Sequence, residues 1–248
     1  MSRFFTDVRE TLLPRPGGRH GPLPPLLVGL TVVTGLVDAF SYLVLGHVFV
    51  ANMTGNVVFL GFALVGAPGF SIAASVVALG SFWLGALVGG RIGARLGQHR
   101  GRLLGTAASL QAAYLAVAVI LAAVSGSPVA AGFRYPLIVS LALAMGLQNA
   151  TARRLAVPDL STTVLTLTIT GIAADKAGGG GAGPTNAGPT NGRRLVSVSA
   201  MIVGAVIGAV FVLHVAIVLP LVTALVLLVA VAVTARLRSR TDAPWVHP

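Results

Sequence analysis

The sequence predicts an all-α membrane protein with six transmembrane helices and two short partial helices, arranged as two inverted repeats. Three observations carry that prediction. The 248 residues are 55% hydrophobic and 9% charged, with mean hydropathy +0.91, where a soluble domain carries roughly 25% charge. Eight apolar segments can be marked, and six of them reach the ~17–20 residues that a bilayer crossing requires. The basic residues sort onto one side of the membrane only if the other two segments dip in and return.

Residues 1–21 form an N-terminal segment in which Phe4, Phe5, Val8, Leu12 and Leu13 recur among charges at helical spacing, the pattern of a short interfacial helix. The first apolar segment, 22–45, is longer than the ~7–15-residue core of a signal peptide and has no A-x-A site after it. It reads as a retained anchor. The first membrane repeat, 22–125, holds segments 22–45, 54–66, 70–94 and 103–124, and the second, 126–236, holds 133–155, 162–175, 195–214 and 216–236. The second and sixth segments, at 13 and 14 residues, are too short to cross. Such partial segments persist only where protein or a water-filled cavity surrounds their backbone. Residues 177–194, AGGGGAGPTNAGPTNGRR, read as a flexible loop; the G-K-[ST] of a phosphate loop is missing. Residues 237–248 are a cytoplasmic tail.

Charge decides the topology. With eight crossings and the N-terminus inside, 11 of the 17 Lys and Arg residues fall inside and 6 outside. With six crossings, 16 fall inside and only Arg134 outside. Both termini are then cytoplasmic. The net charge of +11 would suggest nucleic acid in a soluble protein, but no polar basic domain with interleaved aromatics carries it. Sixteen Arg against one Lys, with Ala, Val and Gly abundant, matches a GC-rich bacterial genome. No Cys is present, so disulfides and thiolate metal sites are excluded.

The repeat shows in short matches. GLVDA at 35–39 matches GLQNA at 146–150, an offset of 111, and TGN at 54–56 aligns with TLT at 166–168, an offset of 112. Gly85-x-x-x-Gly89 in the third segment has a counterpart in Gly204-x-x-x-Gly208 of the seventh, and both stripes are expected to pack helices closely. Three crossings per half turn the second half upside down relative to the first.

Polar residues at membrane depth mark the candidate site. A charge there costs at least about 2.5–3.5 kcal/mol, so Asp38 is expected to bind a proton, cation or substrate, or else to cap the partial segment or pair with an Arg such as Arg153. Asn149 is its neutral repeat mate, with Gln148 beside it. Asn52, Thr54 and Asn56 head the second segment, and Thr163, Thr166 and Thr168 line the sixth. Ser, Thr and Asn are helix N-cap residues, and half-length helices at matching places of two inverted repeats point to a transport site. The five His (20, 47, 99, 214, 247) are scattered, with no metal-ligand or catalytic spacing. Asp159 reads as a cap. No enzyme activity, metal or cofactor is expected.

The stretches GLVDAFSYLVLGHVFVANMTGNVVFLG and MGLQNATARRLAVPDLSTTVLTLTITGIAAD resemble the two signature regions of the YoaK family, bacterial membrane proteins of unknown function. The resemblance implies a six-helix inner-membrane protein and supplies no substrate. Leu167 stands where the family's second half carries Gly, so the two partial segments are not expected to act alike. The function expected is a small-solute transporter or channel of unknown substrate, working by alternating access around the partial helices. The alternative is a non-transporting scaffold or regulatory protein. The partners expected are the lipid bilayer and the solute, without nucleic acid; a homo-oligomer is left open.

Single cysteines report sidedness directly in a Cys-free chain. His99→Cys and Asn186→Cys should be shielded from impermeant thiol reagents in intact cells, and Ser127→Cys should react. Labelling of position 99 from outside would contradict six crossings.

Overall fold

A computed structural model of the chain describes residues 8–13, 18, 20–157, 170, 191–239 and 245–246. Seven helices of twelve or more residues run through them: α1 (Leu23–Val44), α2 (Met53–Leu64), α3 (Ile72–Leu96), α4 (Arg100–Ser125), α5 (Ala131–Leu155), α6 (Asn191–His214) and α7 (Leu219–Arg238). Residues 8–12 add one helical turn, the described part of the expected interfacial helix. No strand occurs among the described residues.

Local chemistry explains the helix starts. Proline needs no N–H in a first turn, so Pro24 and Pro220 open α1 and α7. Ser71 accepts from the Ala74 N–H at 3.2 Å, and His99 Nδ1 from the Arg102 N–H at 3.1 Å, capping α3 and α4. One boundary of the sequence reading is corrected. The loop 177–194 ends earlier, because α6 already begins at Asn191 and takes in Arg193 and Arg194. Helices here run past their hydrocarbon stretch into basic flanks, as α4 and α7 also do, since Arg stems cover apolar surface while their heads stay in water.

α1, α3, α4, α6 and α7 are long and apolar enough to cross a membrane. α5 equals them in length at 25 residues, but Arg134, Gln148, Asn149, Arg153 and Arg154 lower its hydropathy. Its position accounts for the difference. α5 buries Leu137, Leu141, Met145 and Gln148 in the bundle, so much of it faces protein. α1 is the other central helix, 61% buried over its apolar window against 22–39% for the other four apolar helices. α5 packs on α3 and α4, α1 packs on α6 and α7, and α4 closes against α7.

The glycine stripes set the two closest contacts. A methyl group on Gly85 would overlap the Leu143 carbonyl, and one on Gly146 the Phe82 carbonyl. Gly89 lies against Leu147 and Ala150. Across the molecule Gly204 meets Val32, Gly35 meets Met201 and Ala205, and Gly208 meets Leu36 and Ala39. Lipid is as apolar as Leu, so close backbone approach and dispersion replace the hydrophobic drive that holds soluble helices together. The pairs also give direction. α3 runs parallel to α5 and α1 parallel to α6, whereas α4 and α7 are antiparallel, with Gly101 beside Ser239 and Gly105 beside Arg236.

Overpacking these contacts should destabilise the bundle by about 1–3 kcal/mol each. Gly89→Leu and Gly208→Leu should both melt below the parent in detergent, while Gly80→Leu, at an exposed position where an added Cβ meets nothing within 4 Å, should not. Equal melting of all three would show that the stripes face lipid.

Candidate functional site

The site is built on a chain reversal at the end of α1. Gly46 and His47 both take positive φ, 79° and 55°, which turns the backbone back along the helix it has just left. Arg134 of α5 secures the corner: its Nε donates to the Leu45 carbonyl at 2.7 Å and Nη2 to Gly46 at 3.3 Å, at the electronegative end of α1.

Residues 48–52 then run back without helical or sheet bonding, which raises the question of where their N–H groups go. Two side chains take them. Asp38 Oδ1 accepts from Val50 at 3.1 Å and Ala51 at 2.9 Å. Asn56 Oδ1 accepts from Phe49 N at 2.9 Å while its Nδ2 donates to Phe49 O at 2.6 Å, so both backbone groups of Phe49 are held. Asp38 precedes the end of α1 by six residues, which at ~1.5 Å per residue puts the leg about 9 Å back along the helix.

Asn52 then starts α2, its side chain accepting from Gly55 N at 3.4 Å. A side chain at Gly55 would strike the Phe49 ring, so glycine is needed at this first turn. α2 leads back out. His47 Nδ1 lies 3.1 Å from the Gly69 carbonyl, and Tyr42, Phe49, Phe59 and Phe70 form a chain of rings with centroids 5.0–5.6 Å apart. The segment between α1 and α3 thus enters and leaves at the same end of α1, with the head of α2 innermost.

Among the expected site residues, Asp38, Asn52 and Asn56 come together here. Asp38 is 4% exposed, and its Oδ2 is buried with no hydrogen-bond partner among the described residues. Arg153 is exposed at the far end of α5, so the expected alternative of an Asp38–Arg153 pair is not formed. Thr54 is exposed on the first turn of α2. Gln148 lies one helical turn deeper than Asp38, donating to Thr34 Oγ1 at 2.8 Å and accepting from Gln111 Nε2 at 2.6 Å. Asn149 is half-buried and its Nδ2 donates to Met145 O at 3.2 Å. Thr163, Thr166 and Thr168 lie outside the described residues, as do Asp159 and Leu167.

Three contributors escaped the sequence reading. Gln111 was legible as a lone amide within an apolar span, and Thr34 as the residue one turn before Asp38. Arg134 was legible only as a topology marker; its contact with α1 is tertiary and leaves no local signal.

Comparison with known proteins agrees with the resemblance in the signature regions. A family model described as "Protein of unknown function (DUF1275)" matches residues 26–234. The UPF0700 transmembrane protein YoaK of Bacillus subtilis (strain 168) is 34% identical over 155 residues, covering 62% of this chain and 67% of that protein. No solved structure matches. With most of its length inside the family model and several helices able to cross a bilayer, the chain is a membrane protein belonging to the YoaK family, DUF1275.

Proposed function

We propose that this protein moves a small solute across a bacterial inner membrane by alternating access, with both termini cytoplasmic and Asp38 as the coupling or anchoring group. The observation that carries the reading is the buried Asp38 carboxylate, one oxygen bound to the re-entrant leg and the other unpartnered at the head of a half-helix. A carboxylate retained at this depth needs a proton, a cation or a donor group on that second oxygen.

Helix direction supports six crossings with two partial segments. Eight crossings would make α4 parallel to α7 and α1 parallel to α5. Instead Gly101 lies by Ser239, while Arg134 at the start of α5 reaches the end of α1 and Gln148 reaches Leu30. α5 then counts as a sixth span whose polar residues are sheltered by neighbours.

The inverted repeat has support in the same contacts. Adding 111 to Val32, Gly35, Leu36 and Ala39 gives Leu143, Gly146, Leu147 and Ala150; adding 119 to Phe82, Gly85, Ala86 and Gly89 gives Met201, Gly204, Ala205 and Gly208. The contacts of Gly85, Gly89 and Gly146 in the α3–α5 pair then map onto those of Gly204, Gly208 and Gly35 in the α6–α1 pair. Rocking of two such related halves about a midplane site is the usual geometry of secondary transport.

Within the site, a polar line runs from Asn56 through Asp38 and Thr34 to Gln148 and Gln111. The exposed Asn52 and Thr54 offer polar groups at the mouth of this line. The second half keeps the shape at Asn149 without the charge, which makes the site asymmetric: one copy couples an ion, the other shapes the cavity. No catalytic reaction is proposed.

Asp38→Asn retains an oxygen for the Val50 and Ala51 N–H groups and removes the charge. It should insert and melt near the parent but lose stabilisation by any solute that stabilises the parent, worth about 2.7 kcal/mol at 100 times Kd. Thr54→Val and Asn56→Ala should weaken that response, and Asn149→Ala should weaken it less. A metabolite panel read by thermal shift, followed by flux into proteoliposomes, checks this. An intact solute response in a destabilised Asp38→Asn would make Asp38 a structural cap and remove the main support for a transport site there.

A further inference from the structure

The Arg-bearing ends of α3 and α5 form a second polar feature, remote from Asp38. A cleft lined by Gly90, Gly93, Ala150, Arg153 and Arg154 continues into a groove floored by Trp83, Leu87 and Arg91. Trp83, Leu87, Gly90, Arg91 and Ala94 fall on one stripe of α3, and Trp83 lies about 12 Å below Arg91 at ~1.5 Å per residue. Trp83 is 62% exposed, and Arg91, Arg153 and Arg154 are exposed as well. Small residues hold the cleft open. A Cβ on Gly93 would sit 3.2 Å from Arg154 Cγ, and one on Gly97 would sit 2.9 Å from Arg154 Nε.

The molecule contains its own control. Under the contact correspondence above, Trp83, Gly90, Arg91, Gly93 and Ala94 map onto Ile202, Ala209, Val210, Val212 and Leu213. Arg153 and Arg154 map onto Tyr42 and Leu43. The corresponding stretch between α6 and α1 therefore carries apolar side chains and no arginine. Packing two such helices does not call for glycines and arginines; at the matching positions the α6–α1 pair has neither. Nor can the chain neutralise these cations one-to-one, with 17 Lys and Arg against 6 Asp and Glu.

We infer that this groove binds an anionic phospholipid of the surrounding bilayer, its phosphate at Arg91, Arg153 and Arg154 and an acyl chain along Leu87 and Trp83. Free phosphate would use the arginines but not the apolar floor beneath them. Guanidinium groups suit phosphate oxygens through paired N–H donors, and basic clefts between helices near the cytoplasmic surface favour anionic headgroups.

Trp83 supplies the readout. The full-length protein is reconstituted with brominated phosphatidylglycerol or brominated phosphatidylcholine, and Trp83→Phe identifies the quenched signal against the buried Trp245. Each arginine near the surface should contribute about fivefold, so phosphatidylglycerol should quench at a mole fraction lower by on the order of tenfold or more. Arg153→Ala/Arg154→Ala should leave only about the fivefold preference that Arg91 supplies, and Arg153→Lys/Arg154→Lys should keep most of the parent's preference. Should the alanine pair fail to fold, Arg91→Gln must lower the preference about fivefold. Equal quenching in the parent, a preference unchanged by charge removal, or its loss on adding inorganic phosphate would overturn the assignment.

Discussion

The return of the chain from the end of α1 to the head of α2 depends on one buried carboxylate oxygen. Asp38 Oδ1 takes the N–H groups of Val50 and Ala51, which otherwise have no ladder and no helix to serve them. Each buried donor left unpaired would cost about 1–3 kcal/mol, and in hydrocarbon water cannot substitute. Asn56 does the same for both backbone groups of Phe49. Two side chains thus replace the neighbouring strand that an extended segment would use in a sheet. That replacement holds the start of α2 against α1, with Asn56 buried and Asn52 and Thr54 exposed.

The rest of the bundle is arranged so that this carboxylate can exist. α1 carries Asp38 and is the most buried of the apolar helices, shielded by α5, α6 and α7. Its approach to α6 is set by Gly35, Gly204 and Gly208, and its corner is fixed from α5 by Arg134. The glutamine pair Gln111–Gln148 ties α4, α5 and α1 together one turn deeper. Packing, capping and the polar line converge on the same stretch of α1, the pattern expected where a costly group is kept for use.

Much of this was legible in the chain. Apolar runs and two small-residue stripes suffice for the helices and their closest contacts, because hydropathy and close packing each act locally along a helix. Asn52, Thr54 and Asn56 stood out as polar residues in an apolar stretch, and the start of a helix at Asn52 follows from N-cap chemistry alone. Asn56 bonding Phe49 was not legible, because it depends on a reversal made by Gly46 and His47, a turn with no periodic signature. α5 illustrates the opposite problem: its composition understates its burial, since a helix surrounded by other helices can carry amides that a lipid-facing one cannot. Likewise Arg193 and Arg194 suggested loop where helix continues, because charge marks the end of hydrocarbon and not the end of hydrogen bonding.

The most direct test of this account is amide hydrogen exchange over residues 49–51, compared between the parent, Asp38→Asn and Asp38→Ala. These amides lie outside every helix, and the acceptors that hold them are Asp38 and Asn56. The account predicts slow exchange in the parent and in Asp38→Asn, fast exchange at Val50 and Ala51 in Asp38→Ala, and no change where α3 packs on α5. Exchange at Val50 and Ala51 as fast in the parent as in Asp38→Ala would contradict it.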